Sequence, residues 1–304
     1  MRKSLFPILA VLMVCGCSMA GISGGPVLGG GNGLEIISFT AEPSPVFSGS
    51  TVRLIMEVEN RGGTNVVDLQ SLLYMTGSNF DSWGGTTYNY FDKEMKAEDV
   101  VRGVPADIKR FSWSLSAPTL PAGQTRQDTF IGRIYHEYKS SALGNVWVYT
   151  ETEAEASRTA GRQLYTPAFT YTKGPVGVQV RVSPDPIILY GSERTFTLYI
   201  KLNNLGTGTI YTPAIPNFYR RSNVGLEPHQ LNNVTVSVTG ADLSVSSECT
   251  GHQELVAGRE TTLVCDVTIA EDEVPETFKS FSLNVNVFYG YYTEQTTSVM
   301  VQGK

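Results

Sequence analysis

Three histidines, four cysteines and one run of carboxylates are the side chains of this 304-residue chain whose types could do chemistry. Their spacing decides which chemistry. His136, His229 and His252 stand far apart, with no H-x-x-x-H pair and no Cys/His set at zinc-ligand spacing. His136 lies beside Glu137 in "YHEY", a stretch of strand character. Neighbours on a strand point to opposite faces, so these two cannot act as one dyad. His136 is expected to be a packed or edge residue. Asp81, Asp92, Glu94, Glu98 and Asp99 could gather round a cation, but their spacing is irregular and is not that of a calcium loop. No G-x-S-x-G elbow and no phosphate-binding glycine loop occurs. The chain is read as a non-enzyme, with no catalytic residue, no metal and no cofactor.

The cysteines speak of compartment. Arg2 and Lys3 precede the apolar run "LFPILAVLMV", residues 5–14. A bilayer span needs about 20 residues, so this run fits the apolar part of a secretory signal. The following "VCGC" resembles the prokaryotic lipobox, with Val14, Cys15 and Gly16 leading to Cys17. The resemblance implies cleavage after Gly16, a signal peptide at 1–16, and lipid on Cys17. A cut elsewhere or an uncleaved anchor is the alternative. Residues 17–33 then hold the lipidated cysteine and a Gly-rich tether, "SMAGISGGPVLGGGNG". Membrane contact through the N-terminal lipid is expected. So is a place in the cell envelope, exported and facing outside the cytoplasm.

Cleavage would remove Cys15 and lipid would consume Cys17, leaving Cys249 and Cys265 as an even pair. In "ADLSVSSEC" and "TLVCDVTI" each cysteine shares strand parity with apolar neighbours. Both should point into a core and form a disulfide, as exported chains allow. Two separate buried thiols are the alternative.

Composition agrees with an all-β exported protein. Hydrophobic residues make up 41% and charged residues only 17%, with 30 Gly and 15 Pro. The net charge of −6 and the lack of a long basic run exclude nucleic acid as a natural partner. Val52, Leu54, Met56 and Val58 alternate with wetter residues, as do Phe196, Leu198, Ile200 and Leu202, and Phe281, Leu283, Val285 and Val287. Short alternating strands bounded by Gly and Pro indicate β-sandwiches.

The chain also repeats itself. "PSPVFSGSTVRL" from Pro43 matches "PDPIILYGSERTFTL" from Pro184. Asn60-x-Gly62 matches Asn204-x-Gly206. "LPAGQT" from Leu120 matches "LVAGRE" from Leu255. "RIYHEYKSSALGNVWV" from Arg133 lies without gaps on "NVFYGYYTEQTTSVMV" from Asn286, with Tyr138 on Tyr291. The pattern P-x-P, glycine turn, strand, N-x-G resembles the CARDB-type and related immunoglobulin-like modules of prokaryotic surface lipoproteins. That resemblance implies adhesion, scaffolding or spacing without a cofactor. We expect two tandem immunoglobulin-like sandwiches, at 34–150 and 177–304, with a connector at 151–176. Within the connector "ETEAEA" should be a solvated helical turn and "LYTPAFTYT" a strand docked on either module.

Copy one departs by an excursion at 76–113. Phe80, Trp83, Tyr88, Tyr90 and Phe91 crowd its first half among Gly and Asn, the mixture that recognition loops use. They form the candidate binding surface, unless the rings fold back and cap the core. "DKEMKAED" could add one or two helical turns. In copy two the Pro-rich stretch 211–233 should be a surface loop, with Arg220 and Arg221 free to face an acidic partner. Asn233 opens an N-glycosylation sequon, "NVT". The leading expectation is a non-enzymatic, membrane-anchored surface lipoprotein that binds a surface protein, a polymer or itself. The alternatives are a structural subunit of an envelope or appendage assembly and a glycan-binding lipoprotein.

Overall fold

The structure is a computed structural model that describes residues 31–67, 69–76, 80–91, 93–213 and 226–304. The signal segment, Cys17, the tether up to residue 30, Asp92, Arg220 and Arg221 lie outside the described residues, as do the side chains of Asp81 and Phe91.

Alternating apolar residues build strands throughout, and the fold is all-β. Copy one runs β1 (Leu34–Glu42), β2 (Val46–Phe47), β3 (Thr51–Asn60), β4 (Leu69–Thr76), β5 (Tyr88–Phe91), β6 (Ile108–Ser116) and β7 (Thr125–Thr150). The connector carries α1 (Glu151–Thr159) and β8 (Ala168–Tyr171). Copy two runs β9 (Val176–Ser183), β10 (Ile187–Leu189), β11 (Thr195–Asn204), β12 (Thr209–Tyr211), β13 (Asn233–Gly240), β14 (Leu243–Val245), β15 (Gly251–Glu254), β16 (Glu260–Ile269) and β17 (Phe278–Gln302).

Two of these strands organise the rest. All 25 residues of β17 pair antiparallel with β7, from Phe278 opposite Tyr149 to Gln302 opposite Thr125. At about 3.3 Å per residue this ribbon is roughly 80 Å long. The gap-free alignment that puts Tyr138 on Tyr291 also puts Glu137 on Gly290, and these two face each other at the middle of the ribbon. A pseudo-twofold axis passes through that pair. The other contacts obey it. β4 joins one half of β7 and β13 joins the matching half of β17. β2 runs parallel to the end of β17, and β10 runs parallel to the end of β7.

One face of the ribbon is dry from end to end. Phe130, Ile134, Tyr138, Ala142, Val146 and Val148 of β7 are buried, as are Leu283, Val285, Val287, Tyr289, Tyr291, Val299 and Val301 of β17. Two small sheets cover that face. One is β1-β3-β6 and the other is β14-β16-β11-β9. Each sandwich therefore contains half of the other copy's last strand, and the core residues of both form one continuous cluster.

The connector is docked, not free. Thr150 caps α1 by accepting the Glu153 N–H at 3.4 Å. The Tyr165 N–H donates to the Tyr149 hydroxyl at 2.8 Å, and β8 pairs with β7 from Ala142 to Asn145.

Three expectations are corrected. "LPAGQT" joins β6 to β7, whereas "LVAGRE" joins β15 to β16, so they are not equivalent. They look alike because both are tight turns with glycine at positive φ, Gly123 and Gly258. Residues 80–91 are no insertion. They correspond to the 3-10 turn Ser247–Cys249 and β15 of copy two, which among the described residues leaves the stretch between β5 and β6 as extra. That stretch is not helical. It is a hairpin, with Asp99 bridged to Val104.

Gly290 sits on the axis, and a Cβ there would fall within the buried ring of Tyr211. Gly290→Ala should therefore destabilise the protein by about 1–3 kcal/mol, as overpacked cores do. Gly84→Ala, where the nearest atom is the Ser116 Cβ at 3.4 Å, should stay within about 0.5 kcal/mol. Urea melts of the two variants test the difference.

Candidate functional site

The polar groups that the fold gathers lie at the seam where the two small sheets meet over the ribbon centre. His136, Tyr138, Tyr289 and Tyr291 all point to the dry face there. Tyr138 accepts the Gly63 N–H at 2.7 Å and the Thr64 N–H at 3.1 Å, and donates to the Lys173 carbonyl at 2.9 Å. Tyr291, its equivalent, accepts the Gly208 N–H at 2.7 Å. Each hydroxyl thus holds the turn after an Asn-x-Gly motif. The glycine has a physical reason: a Cβ on Gly62 or Gly206 would collide with the Tyr138 or Tyr291 hydroxyl. The asparagine has one too. Asn60 Nδ2 donates to the Thr64 and Met95 carbonyls at 3.0 and 2.9 Å, and Asn204 Nδ2 to those of Gly208 and Gly258 at 3.2 Å each.

The second pair of the seam starts the first strand of each copy. Tyr289 accepts the Val176 N–H at 3.1 Å and shares a hydrogen bond with Ser140 at 2.8 Å. His136, in the matching place, lies with Nε2 3.5 Å from the Leu34 N–H. Burial pushes the Tyr289 hydroxyl pKa well up and that of Tyr291 up to about 12. Burial lowers His136 to about 3, opposed in part by the backbone of Asn32. These are neutral groups that satisfy backbone donors and pack against one another. His136 is edge to face with Tyr138 and with Tyr291. The arrangement is a fastening and holds no paired acid and base.

The aromatic surface divides. Trp83 is only 4% exposed and belongs to the core. Its indole N–H donates to the buried carboxylate of Asp128 at 2.9 Å, which Arg126 also holds at 2.8 Å. Phe80 packs edge to face on Phe130, half-buried. Tyr90 is half-buried, and Tyr88 is 41% exposed. The structure therefore removes Trp83 from the binding surface, because Asp128 gives the indole a buried partner. Among the described side chains of the set it leaves Tyr88 as the exposed ring.

The remaining candidates do not converge. Among the described residues no group of three His, Cys, Asp or Glu side chains could hold a metal. Glu94 bonds Asn65 at 2.8 Å and Asp99 caps the Arg102 N–H at 3.0 Å. Asn233 Nδ2, the atom a glycan would modify, donates to the His229 and Leu231 carbonyls at 2.8 and 3.1 Å, so a sugar, which replaces one of its two hydrogens, would displace one of these bonds. Cys249 and Cys265 are bridged, with Cα atoms 5.7 Å apart. Cys265 lies on β16, but Cys249 ends a 3-10 turn instead of a strand. Sequence reasoning missed the seam. The signal was present in Tyr138 and Tyr291, matched by the repeat, and in the two N-x-G motifs they clamp.

No family model and no curated protein matches the chain. Among solved structures it is similar to red sea bream transglutaminase, with 12% identity over 90% of this chain and 32% of that one, at a TM-score of 0.21. It is similar also to the native conformation of E. coli alpha-2-macroglobulin, with 9% identity over 92% and 17% of the two chains, at 0.22. The chain spans about a third or less of these proteins, and likenesses this distant carry no argument about activity. No helix among the described residues is long and apolar enough to cross a membrane.

Two outcomes follow from the geometry. Trp83→Ala should cost about 3–5 kcal/mol, as for other buried large rings, while Tyr88→Ala should stay within about 0.5 kcal/mol. Thermal melts separate them. His136 has its folded pKa below the unfolded 6.5, so the unfolded chain binds more protons between about 3 and 6.5. Its contribution is complete above that window and is lost as pH falls through it. His136→Gln should therefore flatten the fall in stability over the upper part of the window, read from urea midpoints at successive pH values.

Proposed function

We propose that this protein is an exported, lipid-anchored envelope protein whose two sandwiches act as one stiff, non-enzymatic binding or scaffold body. The Cys249–Cys265 bridge carries the reading, because disulfides persist in oxidising compartments outside the cytoplasm. The "VCGC" box supplies the anchor at Cys17. The CARDB-type pattern supplies adhesion, scaffolding or spacing as the class of role. The shared ribbon supports stiffness, since no free linker separates the modules. The outer strands of the large sheet, β5 and β15, have four residues each, which disfavours strand addition at the edges of that sheet. Burial of Trp83 disfavours a sugar-stacking platform at the aromatic loop.

Fractionation and mass test the anchor. The mature protein should pellet with membranes and carry lipid on an N-terminal Cys17, and Cys17→Ser should move it to the soluble fraction. An unmodified N-terminus at another residue would overturn the anchor.

A further inference from the structure

The hairpin between β5 and β6 is the described feature that copy one adds to the shared plan. In copy two the same place is the tight turn Val256–Glu260. The hairpin is built, not loose. Lys96 and Asp107 exchange backbone and side-chain bonds at 3.1 and 2.9 Å, and Asp99 and Val104 exchange two backbone bonds at 3.0 Å. Gly103, at φ +67°, closes the tip. That tip presents Val100 and Val101, 79% and 97% exposed, with Val104 beside them also exposed. A single exposed valine is ordinary. Two in sequence at the end of a stapled hairpin are an apolar point held out into solvent, with a cation beside it, the 82% exposed Arg102 that pairs with Asp99 at 3.5 Å.

Its base shows what the point can meet. Asn60 holds both arms, through the Met95 carbonyl at 2.9 Å and the Asp107 carbonyl at 3.1 Å. The next residues, Arg61 and Gly62, bond the Gly33 carbonyl at 2.7 and 3.0 Å. So the chain that leads back to Cys17 leaves the body from the same turn that carries the hairpin. About 14 residues separate Cys17 from Gly31 and reach at most roughly 50 Å. A lipid on Cys17 keeps this turn within that distance of the bilayer.

We propose that the Val100–Gly103 tip is a second membrane contact, dipping its valines into the lipid interface beside the anchor and setting the orientation of the body. The proposal rests on the lipid-anchor reading. Both contacts then hang from the turn at Gly33 and Asn60, beside Tyr138 at the ribbon centre.

The test uses the full mature lipoprotein with V101C carrying an environment-sensitive fluorophore. With Cys17 lipidated and Cys249–Cys265 bridged, position 101 is the only free thiol. L143C, on the exposed outer side of β7, is the control. In vesicles of phosphatidylethanolamine and phosphatidylglycerol, iodide quenching at 101 should fall several-fold and quenching by doxyl-labelled lipid should appear, with neither change at 143. Protein that floats with the vesicles but stays equally open to iodide at both positions overturns the membrane contact and leaves the anchor standing. Protein that does not float overturns both. Protection at 101 in native membranes but not in pure lipid vesicles also overturns the contact and assigns the tip to a protein partner.

Discussion

Everything else in this fold depends on the register of β7 against β17. A two-stranded ribbon alone is marginal in water. Here it is stable because two small sheets cover its dry face, one on each half, while further strands pair along both edges. Strand parity makes the register exacting. A slip of one residue would turn the buried row from Phe130 to Val148 toward solvent. It would also break the match across the axis at Glu137 and Gly290. The segments 34–150 and 177–304 are thus two sandwiches in architecture but not in composition, since neither closes without half of the other's last strand.

The seam shows how such a fold handles its weakest place. Where two small sheets meet, their strand ends leave backbone N–H groups that no neighbouring strand can take. Those that are fully buried, at Leu34 and Val176, would cost about 1–3 kcal/mol each if left unpaired. The ribbon answers with side chains, Tyr138 for Gly63 and Thr64, Tyr291 for Gly208, Tyr289 for Val176, and His136 for Leu34. Each copy also fastens the other. Asn32, before β1, accepts the Thr207 N–H of copy two at 2.8 Å, and Lys173, before β9, accepts the Gly63 N–H of copy one at 3.0 Å. The repeat is therefore held by reciprocal bonds as well as by shared strands.

Much of this was legible in the sequence. Alternation exposed the strands, the gap-free match of Arg133–Val148 to Asn286–Val301 exposed the repeat, and parity led to the buried bridge. What escaped was nonlocal. Periodicity tells which face of a strand is dry but not which strand lies beside it, so β7 and β17 read as the ends of separate modules. The equation of "LPAGQT" with "LVAGRE" failed because turn chemistry is local and recurs wherever a glycine must take positive φ. Trp83 looked like a loop ring because its partner, Asp128, is 45 residues away and lies in what reads as an ordinary strand.

The divergence of the two copies follows the same logic. Both must pin the turn before the outer strand of the large sheet. Copy two does so covalently, from Cys249 to Cys265 on its small sheet. Copy one pins the corresponding turn to the ribbon itself, through Trp83, Asp128 and Arg126. A bridge that constrains the unfolded chain and a buried polar clamp that must be matched group by group are different physical solutions to one demand. The bridge leaves its half-ribbon position to an apolar residue, Phe281 by the repeat, whereas the clamp must set a carboxylate there, Asp128. The choice between them accounts for the residue that breaks the repeat here, Asp128 against Phe281. The added hairpin likewise hangs from Asn60, beside a turn that the connector holds through the Lys173 carbonyl and the Gly63 N–H.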